Sequence, residues 1–174
     1  MAGGGNDAGL VRAAQLGDDA AFSALVERHW HRLVGLARSV VGDVDAEDVV
    51  QDTLITAWDR LGDLRDPAAF RAWLTRSVAR ASVRRARRRA WLRPIGPLDE
   101  PAAPGAEDRD GEIQVEQLLR RLAPRQRVVM HLTVVEGMSD SEIGETMGID
   151  AASVRSHRRR ARKVLRRLLP GEGG

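Results

Sequence analysis

A chain of 174 residues and 19.1 kDa holds one ordinary domain or two small ones, and 43% hydrophobic with 30% charged residues is a globular balance rather than a disordered one. It contains no cysteine, which excludes disulfide scaffolds, thiolate zinc sites and cysteine nucleophiles, and only 3% aromatics, which argues against an aromatic-rich β sandwich. No apolar run approaches the roughly 20 residues of a membrane span, and the start MAGGGNDAGL has no secretory profile, so a cytoplasmic protein is expected.

The net charge of +3 hides alternating blocks. Residues 1–66 carry net −6, residues 67–98 net +9 with nine arginines and no acid, residues 99–112 net −5, and residues 113–174 net +5. Two basic blocks flanked by acidic ones predict two polyanion contacts and a basic protein partner. Of the 28 basic residues only Lys163 is a lysine, and guanidinium forks suit phosphates and guanine edges.

In chain order, Asp18 or Asp19 caps a helix with Phe22, Leu25, Val26, Trp30, Leu33, Leu36, Ala37 and Val40 at 3–4 spacing, ended by Gly42. Asp45 with Asp48 predicts a capped helix to about Leu61, with Val50, Leu54, Ala57, Trp58 and Leu61 inward. Asp66-Pro67 predicts a start for a helix through Phe70, Trp73, Leu74, Val78 and Ala81 to about Trp91, stopped by Pro94. Residues 92–112 hold four of the seven prolines and little apolar content, which makes them a linker. Beyond it, Ile113, Leu118, Leu119 and Leu122 mark one helix. Pro124 opens the next, with Val128, Val129, Leu132 and Val135 inward and Gly137 at its end. Ser139 and Glu142 form a capping box, Gly148 a left-handed turn, and Asp150 caps a last helix closed by Leu169-Pro170-Gly171. No segment alternates with period two over strand length. The expected fold is all-α, with two small helical domains joined by a Pro/Gly-rich linker, the second ending in a helix-turn-helix. The units are 10–91 and 113–169, with the linker at 92–112.

The helix-turn-helix at 139–162 is the sharpest motif. Ile143, Met147, Ile149 and Val154 close the helix crossing, and Val154, Ala161, Leu165 and Leu168 form the inner stripe of the second helix. Eight basic residues and no acid lie between Arg155 and Arg167. Such a helix lays its N-terminal part in the major groove and meets phosphates further along. A solvated basic face on a packing helix is the alternative, but caps, turn glycine and one-sided charge together favour DNA. The second basic block, Arg71 to Arg93, includes Trp73 and Trp91, a composition that tracks phosphates and stacks unpaired bases. Trp73 itself fits a core position at least as well. Its nine uncompensated charges repel one another unless an anion binds.

The acidic stretch 43–66 lacks histidine, so it reads as a protein interface, its carboxylates beside Val49 and Trp58, rather than as a metal or acid–base site. The four histidines show no metal-pair spacing. No nucleophile–base set is present, so neither catalysis, a metal nor a cofactor is expected.

The segments DAEDVVQDTLITAW (45–58), FRAWL (70–74) with its arginine-rich helix, and LAPRQRVVMHLTVVEGMSDSEIGETMGIDAASVRSHRRRARKVL (122–165) are together similar to the extracytoplasmic-function (ECF, group IV) sigma factors of bacterial RNA polymerase. The order of acidic helix, arginine-rich helix, proline linker and terminal helix-turn-helix makes the resemblance specific. It implies a transcription initiation factor that binds core RNA polymerase, through the β′ clamp and the β subunit, and directs it to promoter DNA. Asp48, Gln51 and Asp52 match the positions that bind the β′ clamp. The loop 62–68 and the helix from Phe70, with Arg76, Arg80 and Arg84, would capture and melt the minus-10 element. Arg155, Ser156 and Arg160 would read the minus-35 element. The linker would thread toward the active-site channel, and an anti-sigma factor is an implied partner. The family's usual asparagine and aspartate align with Arg80 and Arg84, a departure that bears on minus-10 preference. No appended C-terminal domain is expected. A dimeric transcriptional regulator leaves the second basic block unexplained, and an RNA-binding protein does not need the capped helix-turn-helix.

Overall fold

The computed structural model describes residues 7–92 and 115–168, all helix and short connections without a strand among them. The order is α1 (Asp7–Gln15), α2 (Asp19–Val41), α3 (Asp43–Asp59), two 3-10 turns (Leu61–Asp63 and Pro67–Ala69), α4 (Phe70–Leu92), α5 (Val115–Arg120), α6 (Pro124–Val134), α7 (Asp140–Met147) and α8 (Ala151–Leu168). Most of the linker read at 92–112, along with Ile113, the stop at Pro94 and the closing Leu169-Pro170-Gly171, lies outside the described residues.

Local chemistry sets the boundaries. The Asp18 carboxylate accepts from the Ala21 N–H at 3.0 Å, and Asp66 accepts from Ala68 at 2.9 Å ahead of Pro67. Ser139 and Glu142 exchange the reciprocal bonds of a capping box, and Asp150 accepts from the Ser153 N–H at 2.7 Å. Gly148 is left-handed at φ 68°, where a Cβ would be strained.

Three expectations change. Asp45 is not a cap: α3 begins at Asp43 behind Gly42, without a side-chain cap, and the Asp45 carboxylate turns to α4 instead. Val135 is exposed: α6 ends at Val134, Val135 is its C-cap residue, and both valines lie at the surface. The stripe on α8 is buried only at Val154 and Ala161, while Leu165 is half-buried and Leu168 lies at the surface. A helix unread in the sequence, α1, packs Val11 and Ala14 on α2. It seats Asp7 beside Arg28 and His29, with His29 Nε2 2.8 Å from the carboxylate.

Helix α2 is the axis. α1, α3 and α4 pack around it, and α6 lies on it from the second unit. The buried core is one cluster across both units, joining Leu33, Val40, Leu74 and Val78 to Val128, Leu132, Ile143 and Val154. The units therefore sit against each other, with α6 and α7 on α4.

Candidate nucleic-acid interface

The second helix of the helix-turn-helix, α8, is anchored by fully buried Val154 and Ala161, which fixes its outward face. Gly144 lets the helices cross closely: a Cβ there would stand 2.7 Å from the Ile149 carbonyl oxygen. The backbone N–H of Ser153 and then its hydroxyl hold the Asp150 carboxyl below its usual value, so the cap stays ionised. A basic groove runs along α8 from Arg155 to Arg167. Arg155 and Arg160 are exposed and Ser156 is half-buried. Arg158 differs from its neighbours. Its two guanidinium nitrogens lie 2.6 and 3.1 Å from the Asp140 carboxylate, bracing α8 against the start of α7. Arg155 is 4.0 Å from the same carboxylate and stays solvent-facing.

On α4 the arginines are not uniformly uncompensated, contrary to the sequence expectation. Arg85 and Arg89 grip Asp45 at 2.6 and 2.8 Å. Arg71 reaches Glu136 at 3.0 Å. Arg76 donates from Nε to the Thr146 carbonyl at 3.2 Å and from Nη2 to the Glu145 carbonyl. Arg80 is exposed, but its Nη2 lies over the helix-turn-helix corner, 3.2 Å from where a Gly148 Cβ would be. Arg84, Arg87 and Arg88 face solvent. Trp73 is half-buried against the core with its ring 6.1 Å from that of Phe70, while Trp91 is exposed. Gln15 donates to the Leu61 and Leu64 carbonyls at 3.0 and 2.9 Å, anchoring the start of the loop before α4.

On α3, Asp48, Gln51 and Asp52 form one exposed stripe. Its apolar companions are not Val49, which is buried, nor Trp58, whose ring packs tilted against that of Phe22 with centroids 4.7 Å apart. They are Val44 and Ile55, 85% and 65% exposed. Sequence reasoning missed them because an apolar residue on a helix is first assigned to the core. It also missed Glu136 and Asp140, whose partners are distant in sequence.

The Sigma-70 region 2 family matches residues 25–92, and the family described as Sigma-70, region 4 matches residues 112–165. The ECF RNA polymerase sigma factor SigM of Mycobacterium tuberculosis (strain ATCC 25618 / H37Rv) is 35% identical over 94% of this chain and 85% of its own length. The RNA polymerase sigma factor NccH of Alcaligenes xylosoxydans xylosoxydans is 37% identical over 94% of each. The chain belongs to the ECF sigma factors. The solved structure of CnrH in complex with the cytosolic domain of CnrY matches this sigma factor with a TM-score of 0.69 and 32% identity, covering 96% of this chain and 99% of that one. This sigma factor is a transcription initiation factor that binds core RNA polymerase and directs it to promoters, and it is not an enzyme. Among its described residues, no helix is long and apolar enough to cross a membrane, and no group of three or more histidines or acids could hold a metal.

Proposed function

We propose that residues 10–91 form the region-2 domain, which grips the β′ clamp through Asp48, Gln51 and Asp52 and captures the melted minus-10 strand through Arg76, Arg80 and Arg84. Residues 113–169 form the region-4 domain, which reads the minus-35 element through Arg155, Ser156 and Arg160 and lies near the β subunit. Residues 92–112 thread toward the active-site channel. The chain is a group IV sigma factor acting in the cytoplasm, and an anti-sigma factor holds it inactive.

One observation carries the polymerase assignment. A carboxylate stripe with two exposed apolar residues, Val44 and Ile55, runs along the outer face of α3, while Ala46, Val49, Val50, Leu54 and Ala57 pack inward. Partly apolar surface beside charge is the composition of a protein interface rather than of a solvated helix. Reversing Asp48 and Asp52 to arginine is expected to abolish co-purification with core polymerase at moderate salt while leaving helix content intact. Undiminished co-purification would remove this face from the assignment.

A further inference from the structure

Helix α1 lies against the loop that leads into α4. It packs on both 3-10 turns, Leu61–Asp63 and Pro67–Ala69, as well as on α2. Each end of α1 is tied down. At its start the buried Asp7 carboxylate pairs with Arg28 and lies 2.8 Å from His29 Nε2. The His29 ring in turn packs with its centroid 5.8 Å from that of Phe70, the first residue of α4. At the other end, the N–H groups of Leu16, Gly17 and Asp18 close the corner into α2 by donating to the Ala13 and Ala14 carbonyls at 3.0–3.2 Å. Gln15, the last residue of α1, therefore projects from a braced backbone.

The half-buried Gln15 amide bonds the loop backbone directly. Its Nε2 donates to the Leu61 carbonyl at 3.0 Å and to the Leu64 carbonyl at 2.9 Å. Both partners are acceptors, so only the NH2 end of the amide fits there, and it has a hydrogen for each. The Leu61 carbonyl also accepts from the Leu64 N–H at 3.1 Å, which closes the first turn of the loop. Leu64 packs half-buried against the core, while Gly62, Asp63, Arg65 and Asp66 are exposed. Further on, the Asp66 carboxylate accepts from Ala68 and its carbonyl from the Ala69 N–H, so that half of the loop is held by its own turn. One side chain from another helix thus fixes the first half, at buried Leu61 and again three residues on. A loop shaped before binding does not have to be ordered by its ligand.

We propose that Gln15 is a positioning residue for minus-10 capture: without touching DNA, it holds the loop 62–68 in the shape that receives the strand. The proposal rests on the assignment of that loop and of α4 to the minus-10 strand, and it adds a residue that lies outside both. A side chain that only fills space is replaceable by methionine or glutamate, which are close to glutamine in size. A clamp tolerates neither, since methionine has no donor and a glutamate carboxylate faces two carbonyl oxygens.

The test has two readouts on the full chain. Hydrogen exchange of the free protein reads the clamp without polymerase: in Gln15→Met the amides of residues 62–66 are expected to exchange roughly fivefold faster or more, with α2 and α3 unchanged. Holoenzyme reconstituted with core polymerase reads the consequence, on promoter fragments carrying single substitutions in either element. There Gln15→Met is expected to slow open-complex formation by roughly fivefold or more and to flatten discrimination among minus-10 substitutions, while minus-35 discrimination stays. Gln15→Glu gives the same direction and carries the test if Gln15→Met loses helix content. Unchanged exchange in both variants would overturn the clamp. Faster exchange with minus-10 discrimination intact would overturn the positioning role. A third chain, Asp63→Ala with Arg65→Ala, changes exposed loop side chains and leaves Gln15 in place. Unchanged minus-10 discrimination in that chain would overturn the loop's assignment to the strand, and the positioning role with it, while exchange in Gln15→Met would still report the clamp.

Discussion

Arg85 donates from Nη2 to Oδ1 of Asp45 at 2.6 Å, and Arg89 reaches the other oxygen at 2.8 Å, so one carboxylate ties the arginine-rich α4 to the first turn of α3. The surface carrying the acids proposed to face polymerase and the helix proposed to hold the minus-10 strand are thereby held in one orientation. The Arg85 hydrogen bond, ahead of the charges of Arg85 and Arg89, holds the Asp45 carboxyl below its usual value. This stability is present above the unfolded carboxyl pKa of about 3.9 and is lost as pH falls through the depressed folded value. Asp45→Asn is expected to cost about 1–2 kcal/mol, less than a fully buried pair because both guanidinium groups are about half exposed. Urea unfolding at pH 7 and pH 3 checks this. An equal cost at both would contradict the ionic account.

Trp73 separates two roles that α4 combines. Its ring is half-buried and packed on the core beside Phe70, so Trp73→Ala is expected to lower stability by about 2–4 kcal/mol, somewhat below a fully buried tryptophan. A thermal melt beside a permanganate footprint distinguishes the roles. Unchanged melting with lost strand opening would make Trp73 a stacking surface instead.

Much of the architecture was legible in the sequence because helix starts are written in short-range chemistry. Asp18, Asp66, the Ser139–Glu142 box and Asp150 each act within three residues, and each occupies the position that spacing predicts. What was not legible depends on partners far away in the chain. Asp45 and Asp48 have the spacing of a cap, but Asp45 meets Arg85, 40 residues on. Glu136 follows Val134 and Val135, and nothing near it signals that Arg32 and Arg71 will enclose it. Helix α1 is only nine residues long and has Leu10 and Val11 as its only large apolar residues, too short a signal to stand alone, and it is held by packing on α2.

Within α8 the arginines divide by function. Arg158 is held by Asp140, so Arg158→Ala is expected to loosen the helix-turn-helix by about 1–2 kcal/mol and to weaken all promoters alike. Arg155 faces solvent within the first two turns, so Arg155→Ala is expected to cost about 1–3 kcal/mol at one promoter position and relax specificity there. Arg166 lies too far along the helix for the same base pairs, and Arg166→Ala is expected only to lower affinity evenly and flatten the salt dependence. Binding measured on single-substitution promoters at two salt concentrations separates the three. Base preference lost with Arg166 and kept without Arg155 would reverse the assignment.

His131 adds a pH dependence. Burial, ahead of the opposing pull of Glu136 and the repulsion of Arg32, pushes its imidazole below 6.5. The unfolded chain therefore binds the proton more readily, and stability present above about pH 6.5 declines as pH falls toward the lower folded value. His131→Leu is expected to flatten, though not abolish, the fall in unfolding free energy between pH 7.5 and 5.5, since burial also lowers His29 and His157. An identical slope in the variant would show that His131 does not contribute.

The central claim is that this chain confers promoter selection on a polymerase that lacks it. Reconstituting the chain with core RNA polymerase and sequencing the transcript ends from a library of genomic fragments tests it directly. The account predicts discrete start sites that share a minus-35 and a minus-10 element, appear only with the chain present, and relax their preference at one minus-35 position in Arg155→Ala. Transcripts no more specific than those of core polymerase alone, together with tight duplex binding by the isolated chain, would contradict it.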